Sequence, residues 1–435
     1  MNSIMKSIWE TGIEPPSFPE LKKDIKTDVL IIGGGIAGIL TAFYLSRAGV
    51  DYILVEKNAV CSGVTKNTTA KITSQHGLIY GNLYKSLGAE KTLMYLEANN
   101  QALKEYKKLC QDIDCDFEIK NNYVFSKSNR QFLENELSAL DKIGAKAEFC
   151  ENLPLPFKTE GAVCFKEQAQ FHPLKFIYSI CNNLNIFENT FVKELEGNVA
   201  VTDKGKIYAK KIVVATHFPF INKHGIYFLK LYQHRSYVTA LKNAQSLDGM
   251  YVDWDKKGLS FRNYKDYLLL GGGSHRTGKE GGNWEELRNF AAEHYTEAKE
   301  EYFWATQDCM SLDSMPYIGK YSASTNNFYT ATGFKKWGMT GAMVSALLLR
   351  DILTHKENDF TSLFTPSRCI IKPQLFLNGL ESTINLVNLS KKRCPHLGCA
   401  LKWNKAEHSW DCPCHGSRFS EDGKLLNNPA NGDLS

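Results

Sequence analysis

The fold is decided by the stretch Asp28-Val29-Leu30-Ile31-Ile32-Gly33-Gly34-Gly35-Ile36-Ala37-Gly38. Its apolar run, Asp28 to Ile32, predicts a buried strand, and a helix is predicted to run on to about Ala48, where Gly49 stops it. A second strand is predicted at Val50 to Val55. A strand, a tight glycine turn, a helix and another strand form a βαβ unit, which predicts an α/β domain with a parallel sheet.

The glycines of this turn predict a nucleotide site. Gly33, Gly35 and Gly38 form the pattern G-x-G-x-x-G, and Glu56 stands at the end of the second strand. Gly33 permits the tight turn, Gly35 lets backbone N–H groups approach a pyrophosphate, and Gly38 lets the helix pack on the strand. Because the Glu56 carboxylate suits ribose hydroxyls and repels a 2′-phosphate, FAD or NAD is favoured over NADP. The alternative is a glycine-rich turn in some other α/β fold.

Composition limits the other classes of function. The chain has 435 residues, which suggests two or three domains, and its net charge of +5 is spread without a basic run. No nucleic-acid partner is therefore expected. No stretch approaches the ~20 apolar residues of a membrane-spanning helix. Residues 1 to 20 lack the apolar region of a signal peptide, so a cytoplasmic location is expected.

Two later stretches distinguish FAD from NAD. They are Asp313-Ser314-Met315-Pro316-Tyr317-Ile318-Gly319 and Ala331-Thr332-Gly333-Phe334-Lys335-Lys336-Trp337-Gly338-Met339-Thr340-Gly341. Both resemble elements of the FAD-dependent amino-acid-oxidase family, which includes glycine and sarcosine oxidases, and the resemblance covers roughly residues 25 to 355. It implies FAD and a last helix, starting near Gly338, whose N-terminus points at the flavin pyrimidine. A buried apolar helix without a ligand is the alternative.

The same resemblance implies further contacts to FAD. Val192 would touch adenine through its backbone, and Gly333, Gly338, Met339 and Thr340 would lie at the flavin. The loop from Gly63 to His76 would fold against the flavin, so that Lys71 or His76 could face the isoalloxazine ring. An exposed lysine in a helix-capping loop is an equally good interpretation of Lys71.

Two short motifs near the C-terminus predict a metal site. They are Cys394-Pro395-His396-Leu397-Gly398-Cys399 and Cys412-Pro413-Cys414-His415-Gly416-Ser417, and they resemble the C-x-H-x-G-C and C-x-C-H-G-S motifs of Rieske proteins. The resemblance implies a 2Fe–2S cluster with Cys394 and Cys412 on one iron and His396 and His415 on the other. It also implies a disulfide between Cys399 and Cys414. Zinc, which accepts two cysteines and two histidines as well, is the alternative.

The residues around these motifs bear on the reduction potential. Ser417 keeps the hydroxyl found in respiratory-type Rieske proteins, but Phe419 stands where those proteins have a tyrosine. With one donor fewer, we predict a potential below the respiratory type. The sequence stops at Ser435, soon after Asn428-Pro429-Ala430, which looks like the proline loop of the family. Rieske domains normally continue for further strands, so a truncated C-terminus is one interpretation.

Together these features predict an α/β fold in three parts. A Rossmann-like FAD-binding domain (roughly residues 25–85, 170–220 and 310–355) would be interleaved with an antiparallel-sheet substrate domain (roughly 86–169 and 221–309). This oxidoreductase part would occupy residues 1–373, and a small all-β Rieske domain residues 374–435. Locally, helices are predicted at about 88–150 and at Trp284 to Thr306, and strands at Ser236–Leu241 and Tyr267–Leu270.

Candidate catalytic residues come from the expected substrate side. Arg262 could clamp a substrate carboxylate, and His275 follows a strand that would run toward the flavin. Lys71 is the third candidate, and His217 and Trp337 are weaker ones. Each of these residue types is at least as common in a core or on a surface as in an active site.

The whole architecture resembles a bacterial family of amino-acid-oxidase-like flavoproteins with a C-terminal Rieske domain. The resemblance implies oxidation of a C–N bond in an amine or amino acid, with hydride transfer to FAD and hydrolysis of the imine. The cluster would then deliver electrons singly to an unidentified acceptor. Two alternatives stay open: a reductase in which a donor reduces the cluster first, and a non-enzymatic redox-sensing protein.

Overall fold

The computed structural model describes residues 3–222, 224–255, 258–368, 373–388 and 392–434. The helices in these ranges are α1 (Ile36–Arg47), α2 (Tyr80–Leu109), α3 (Arg130–Lys142), α4 (Pro173–Cys181), α5 (Tyr227–Lys230), α6 (Asn283–His294), α7 (Gly338–Leu353), α8 (Thr361–Phe364) and α9 (Pro373–Val387). The strands are β1 (Ile4–Met5), β2 (Ile25–Ile32), β3 (Tyr52–Val55), β4 (Lys71–Ile72), β5 (Glu118–Phe125), β6 (Glu148–Cys150), β7 (Ala162–Gln170), β8 (Ile186–Phe187), β9 (Val192–Glu196), β10 (Val199–Thr202), β11 (Lys206–Val214), β12 (Leu231–Lys242), β13 (Met250–Asp253), β14 (Ser260–Tyr264), β15 (Tyr267–Arg276), β16 (Lys299–Ser311), β17 (Tyr317–Lys320), β18 (Phe328–Thr332), β19 (Lys402–Asn404), β20 (Ser409–Asp411), β21 (Arg418–Ser420) and β22 (Leu425–Asn427).

A largely parallel sheet carries the glycine turn. Its order is β17-β18-β11-β2-β3-β8, with β10 and β9 added beside β11. Strand β2 pairs in parallel with β3 and β11, and its apolar residues alternate between two cores. Val29 and Ile31 face α1 and α7, whereas Leu30 and Ile32 face the opposite layer. Because both faces are covered, the run Val29 to Ile32 is continuously apolar.

A second, mostly antiparallel sheet lies beside the first. Its order is β1-β16-β12-β15-β14-β13-β5-β7-β4, with β6 paired to β7. Strand β4, which begins at Lys71, pairs with β7 in this second sheet. The loop between β3 and β4 therefore carries the chain from the first sheet to the second. Residues of β15 such as Leu269 pack toward the parallel-sheet layer, while Leu268 and Leu270 pack toward α6. The fold class expected from the sequence is confirmed.

Two local predictions were only partly right. The segment 88–150 is helical in α2, up to Leu109, and in α3, but it also contains β5 and β6. The helix expected from Trp284 to Thr306 ends at His294 and is followed by β16. Strand β16 pairs with β12 from Leu231 to Lys242, and β5 pairs with both β7 and β13. Tertiary strand pairing therefore overrides a helical composition in both segments.

The C-terminal region is a small antiparallel sheet of order β19-β20-β21-β22, preceded by α9. A core of cysteines, Leu401, Phe419 and Ala430 lies under it. The proposed domain boundaries stay a prediction. None of the described helices is both long and apolar enough to cross a membrane, and the cytoplasmic location also stays a prediction.

Candidate active site and cluster site

The glycine turn has the tight packing that its sequence predicts. A Cβ atom on Gly38 would lie 1.9 Å from the Gly33 carbonyl oxygen, and one on Gly33 would lie 2.6 Å from the Ala215 oxygen. Gly33 also has a φ of 112°. Helix α1 therefore approaches the turn at a distance that only glycine allows. This close approach is the one that a pyrophosphate-binding turn requires.

Glu56 is fixed beneath the turn. Its Oε2 atom accepts a hydrogen bond from the Gly34 N–H at 2.7 Å, and its Oε1 atom accepts one from the Asn58 N–H at 3.0 Å. Burial raises the pKa of Glu56, although the Asn58 and Gly34 N–H groups oppose that rise. The carboxylate thus stands at the carboxyl end of β3, where it can reach the ribose of a dinucleotide.

A cavity of about 640 Å³ begins at this turn and extends to the second sheet. Gly33, Gly35, Glu56 and Val192 line its first end. Gly338 and Met339, at the start of α7, line its middle. Among the described residues, no side chain accepts a hydrogen bond from the N-terminus of α7. The first N–H groups of α7 are therefore available to a ligand. An elongated cavity with a dinucleotide turn at one end and a helix N-terminus in the middle fits FAD.

Two predicted flavin contacts lie outside this lining. Gly333 packs against Leu231 and Ser311 with a φ of 74°. Thr340 is buried and its hydroxyl lies 2.8 Å from His76 Nε2 and 3.1 Å from the Thr73 carbonyl oxygen. The cavity surface is formed instead by Phe334, which follows Gly333, and by Gly338 and Met339, which precede Thr340.

His76 is held as a neutral ring at the cavity wall. Its Nε2 atom lies 2.8 Å from the Thr73 carbonyl oxygen, which can only accept, so Nε2 carries the proton and Nδ1 accepts from the Tyr95 hydroxyl at 2.6 Å. Burial lowers the pKa of His76 to about 3. The ring stacks on Trp337 at 5.0 Å between centroids. His76 thus fixes the Trp337 side chain next to the start of α7.

The two cysteine–histidine motifs form matching loops. In the first, the Gly398 N–H donates to the Cys394 oxygen at 2.9 Å, and in the second the Gly416 N–H donates to the Cys412 oxygen at 2.9 Å. Both glycines have left-handed backbones, with φ of 77° and 84°. The glycine of each motif is therefore required by the turn itself.

The side chains of these loops fit an iron–sulfur cluster. Nδ1 of His396 and Nδ1 of His415 are buried and have no hydrogen-bond partner in the described part of the chain. Their rings lie 5.0 Å apart. The pKa of the Cys394 thiol is lowered by the adjacent Cys412 thiol and by donors from Ser417, His396 and Leu397. Two unsatisfied imidazole nitrogens beside two paired cysteine sulfurs form the donor set of a Rieske cluster.

Cys399 and Cys414 are joined by a disulfide, with their Cα atoms 6.8 Å apart. The disulfide links the two loops behind the ligand cysteines. It also removes both sulfurs from the set available to a metal, which leaves Cys394, His396, Cys412 and His415 as the candidate ligands.

Comparison with known proteins identifies both regions. A model of FAD-dependent oxidoreductases matches residues 28–352. The chain belongs to the family of FAD-dependent oxidoreductases. A model of the Rieske [2Fe-2S] domain matches residues 385–435 of this oxidoreductase. It is therefore an FAD-dependent oxidoreductase of the amino-acid-oxidase type that binds FAD and, through its Rieske domain, a 2Fe–2S cluster.

Relatives share this architecture. The oxidoreductase is 34% identical to YhfW of Bacillus subtilis (strain 168), which bears the name of a Rieske 2Fe-2S iron-sulfur protein; the match covers 98% of this chain and 96% of YhfW. Among solved structures, glycine oxidase from Geobacillus kaustophilus has a TM-score of 0.67 and 18% identity, covering 79% of this chain and 99% of that one. L-proline dehydrogenase from P. horikoshii has a TM-score of 0.66 and 16% identity, covering 81% and 98%. At these identities the two structures show a shared fold.

Lys71 is the predicted catalytic candidate that the oxidoreductase places in the cavity. Its side chain is 7% exposed, and its Nζ atom lies 2.5 Å from the Ser260 hydroxyl and 3.5 Å from the Thr69 hydroxyl. Burial, aided by the charge of Arg262, lowers the pKa of Lys71 to about 7. The amine of Lys71 therefore stands at the cavity wall and loses its proton more readily than an exposed lysine does.

Arg262 does not clamp a substrate carboxylate, because its guanidinium is committed elsewhere. It is fully buried, and Nη1 donates to the Thr69 and Ala70 carbonyl oxygens at 2.8 and 2.9 Å. Its guanidinium also lies over the Trp9 ring at 5.3 Å. Arg262 thus holds the backbone before Lys71 from outside the cavity.

His275 also lies away from the cavity. Its ring stacks on Tyr237 at 5.6 Å, and its Nδ1 atom lies 3.2 Å from the Gly273 carbonyl oxygen. The left-handed Gly273, with a φ of 61°, turns the end of β15 toward α6. The alternation of side chains along β15 breaks at Gly273, so the His275 side chain does not line the cavity.

One residue of the cavity wall, Lys336, was not singled out from the sequence, and a weaker candidate, His217, also lies there. Lys336 lines the cavity and donates to the Ser236 and Ser274 hydroxyls at 3.0 and 2.7 Å. His217, a weaker candidate, lines the cavity with a φ of 66° and a buried Nε2 atom that has no partner among the described residues. A non-glycine residue in this backbone region is costly, and such residues cluster at functional sites.

Polar side chains of the oxidoreductase part hold the second cluster loop. Gln233 Nε2 donates to the His415 oxygen at 2.8 Å, and Gln307 Nε2 donates to the Gly416 oxygen at 2.8 Å. Asn428 of the Rieske domain donates in return to the Thr216 and Phe218 oxygens. These amides come from strands β12 and β16 and from the end of β22. No motif in the sequence marks these three residues as contacts between the two regions.

Proposed function

We propose that this oxidoreductase oxidises a C–N bond of an amine or amino acid and passes the electrons singly through the Rieske domain to a partner. FAD supplies a two-electron oxidant, and the 2Fe–2S cluster supplies a one-electron acceptor. The substrate would enter the sheet end of the cavity, next to Lys71 and Trp337. Structural neighbours that act on glycine and L-proline support a small amino compound as the substrate class.

The observation that carries the proposal is that one cavity reaches both cofactor regions. Gly33 and Glu56 line it at the dinucleotide turn, and residues Leu425 to Asn428 of the Rieske domain line it on another side. The wall of the FAD cavity is therefore partly built by the domain that carries the cluster. Such an arrangement supports electron transfer within one chain.

A short segment after β11 connects the FAD cavity with the cluster site. Thr216 and His217 line the cavity, and the next residue, Phe218, is buried with its ring 6.5 Å from His396 and 6.3 Å from His415. The chain thus passes in three residues from the FAD cavity to the two histidine ligands. This short path supports electron transfer between flavin and cluster.

Anaerobic stopped-flow absorbance tests the proposal on the full chain loaded with FAD and cluster. Amino acids and simple amines are mixed with the oxidised protein, and flavin and cluster absorbance are followed separately. Flavin bleaching that precedes loss of the cluster bands is expected. A Cys394→Ser variant, which lacks one iron ligand, should keep the flavin phase and lose the cluster phase.

Other results would contradict the proposal in distinct ways. If a chemical donor reduces the cluster first and the flavin afterwards during turnover, the protein is a reductase. If no amine or amino acid bleaches the flavin, oxidation of a C–N bond is not its reaction. A colourless protein, or one that holds zinc, would remove the basis of the electron-transfer scheme.

A further inference from the structure

We propose that the Rieske domain is itself part of the FAD site: its residues 425–431, named here the cover segment, lie over the adenosine half of FAD and bind it. The Rieske domain thereby has a second function besides electron transfer, which is to retain the flavin cofactor. Retention of FAD is shared by the two domains, whatever the substrate and whichever way the electrons flow.

The cover segment is part of the wall of the cavity that begins at the glycine turn. The residues of this segment that line the cavity are Leu425, Leu426, Asn427, Asn428, Ala430 and Asn431. The same cavity is lined by Glu56 after β3, by Val192 at the start of β9 and by Thr216 after β11. A ligand that lies along the FAD-binding residues therefore also meets residues of the Rieske domain.

One end of the cover segment is fixed at the expected adenine position. The side-chain amide of Asn431 donates a hydrogen bond to the Lys193 carbonyl oxygen. Lys193 follows Val192 in β9, and Val192 is the residue whose backbone is expected to contact adenine. The last residue of the cover segment is thus held beside the adenine end of the FAD site.

The other half of the cover segment is fixed beside the glycine turn. Asn428 Nδ2 donates to the Thr216 and Phe218 carbonyl oxygens at 2.6 and 2.7 Å. Thr216 follows Ala215, whose carbonyl oxygen packs against Gly33 of the turn. In FAD, one ribose separates the adenine from the pyrophosphate. A segment that is held at both positions therefore lies over the adenosine half of the cofactor.

A charged contact joins the Rieske domain to the expected ribose position. Asp433, two residues beyond the cover segment, accepts a hydrogen bond from the Leu425 N–H at 2.8 Å. Burial lowers the pKa of Lys57, and the negative charges of Glu56 and Asp433 oppose that fall. Lys57 lines the cavity directly after Glu56, the expected ribose ligand. Asp433 thus supplies electrostatic attraction between the two domains at this end of the site.

The cluster loop holds the cover segment in place. The Ala430 N–H donates to the Ser417 hydroxyl at 2.9 Å, and the Cys412 N–H donates to the Ser417 carbonyl oxygen at 2.8 Å. Leu425 packs against the core that contains Cys394 and Cys412. The position of the cover segment therefore depends on a folded cluster loop. Because coupling between two binding sites is reciprocal, loss of either cofactor should weaken the binding of the other.

Release of FAD from the full chain loaded with both cofactors tests the cover segment without turnover. The protein is diluted, and flavin fluorescence anisotropy follows the loss of FAD. Asn431→Ala should raise the FAD dissociation rate constant on the order of 2- to 10-fold, the factor expected for the loss of one hydrogen bond. Asn428→Ala should act in the same direction. Asn431→Gln keeps the amide and should release FAD more slowly than Asn431→Ala.

FMN distinguishes a contact to adenosine from a general loss of structure, because FMN lacks the adenosine half. When the FAD-free full chain is titrated with each flavin, Asn431→Ala should weaken FAD binding and leave FMN binding unchanged. Asn82→Ala removes an exposed side chain of α2 outside the cavity lining and should change neither affinity. The cluster absorbance should be the same in all of these proteins.

Amide hydrogen exchange of the wild-type chain gives a second readout. FAD should slow exchange in residues 425–431 and FMN should not, while β19 (Lys402–Asn404), outside the cavity lining, should exchange equally in all three states. Exchange in the cover segment that is the same with and without FAD would overturn the inference. Equal FAD release from the wild-type protein, Asn431→Ala and Asn428→Ala would also overturn it, as would an equal loss of FAD and FMN affinity.

Discussion

The side-chain oxygen of Asn222 lies 2.7 Å from Nε2 of His396. Because an amide oxygen only accepts, Nε2 carries the proton and Nδ1 of the same ring is left for iron. A residue of the oxidoreductase part therefore fixes the tautomer of a cluster ligand. Partners of this kind orient metal-bound histidines and make them more basic.

Replacing Asn222 with alanine should raise the reduction potential of the cluster. The Asn222 oxygen makes the imidazole a stronger donor and so stabilises the oxidised irons; its loss favours reduction. A hydrogen bond worth ~0.5–1.5 kcal/mol corresponds to a shift on the order of 20–60 mV. A redox titration followed by electron paramagnetic resonance measures the shift. An unchanged potential would show that this contact does not act on the iron.

Glu407→Gln should loosen the Rieske domain. Glu407 accepts hydrogen bonds from Arg235, Tyr237 and Arg418, all buried, and thereby joins β12 to the cluster sheet. Removing one partner of a buried ion pair costs ~3–5 kcal/mol. Chemical unfolding monitored at the cluster absorbance should show this loss. Glu421→Gln, on the exposed turn of the same domain, should leave the midpoint unchanged.

The same contact predicts a pH dependence. Burial alone would raise the pKa of Glu407, but Arg235, Arg418 and Tyr237 hold it at about 2, below the usual 4.5. Because the pKa of Glu407 is lower in the folded than in the unfolded protein, the ionised carboxylate stabilises the folded state at any pH above the unfolded-state pKa. This stabilisation is lost as the pH falls to the folded-state pKa. We therefore expect ~3 kcal/mol of stability to be lost between pH ~4.5 and ~2. In Glu407→Gln this part of the acid transition should be absent.

Gly38→Ala should abolish stoichiometric FAD binding. The added Cβ would lie 1.9 Å from the Gly33 oxygen, so α1 must move away from the turn that approaches the pyrophosphate. Flavin content after purification and fluorescence titration with FAD measure the effect, which should exceed tenfold, or ~1.4 kcal/mol. Gly379→Ala in α9 meets no atom within 4 Å and should retain full flavin.

Phe419→Tyr should raise the potential of the cluster. Phe419 is fully buried in the core that contains Cys394 and Cys412. A hydroxyl there adds a donor near the sulfurs and stabilises the extra negative charge of the reduced cluster. Comparison of the two proteins by redox titration tests both this expectation and the prediction that the native potential lies below the respiratory type.

The parts of the site that local sequence patterns define were predictable. The turn at Gly33 to Gly38 and the cluster loops at Cys394 and Cys412 consist of consecutive residues whose glycines are imposed by the backbone. The start of helix α7 near Gly338 was also predicted, because the apolar run that follows it is continuous. In such segments the neighbours along the chain determine the conformation.

Features that depend on contacts between residues far apart in the sequence were not predictable. Arg262 looked like a carboxylate clamp, but the carbonyl groups of Thr69 and Ala70, remote in sequence, occupy its donors. His275 was displaced by the backbone of a single residue, Gly273. Strand β16 formed where a helix was expected, since β12 was available to pair with it. None of these partners can be located from the local sequence.

The two cluster loops differ in what surrounds them. A Cβ on Gly416 would lie 2.6 Å from Gln233, and His415 is 1% exposed, whereas Pro395, Leu397 and Gly398 of the first loop are exposed. The buried loop is thus turned inward to the flavoprotein body, and the exposed loop is the side that another molecule can touch. Under the proposed electron flow, a redox partner would therefore dock over Leu397, on the side of the cluster that faces away from the flavoprotein body.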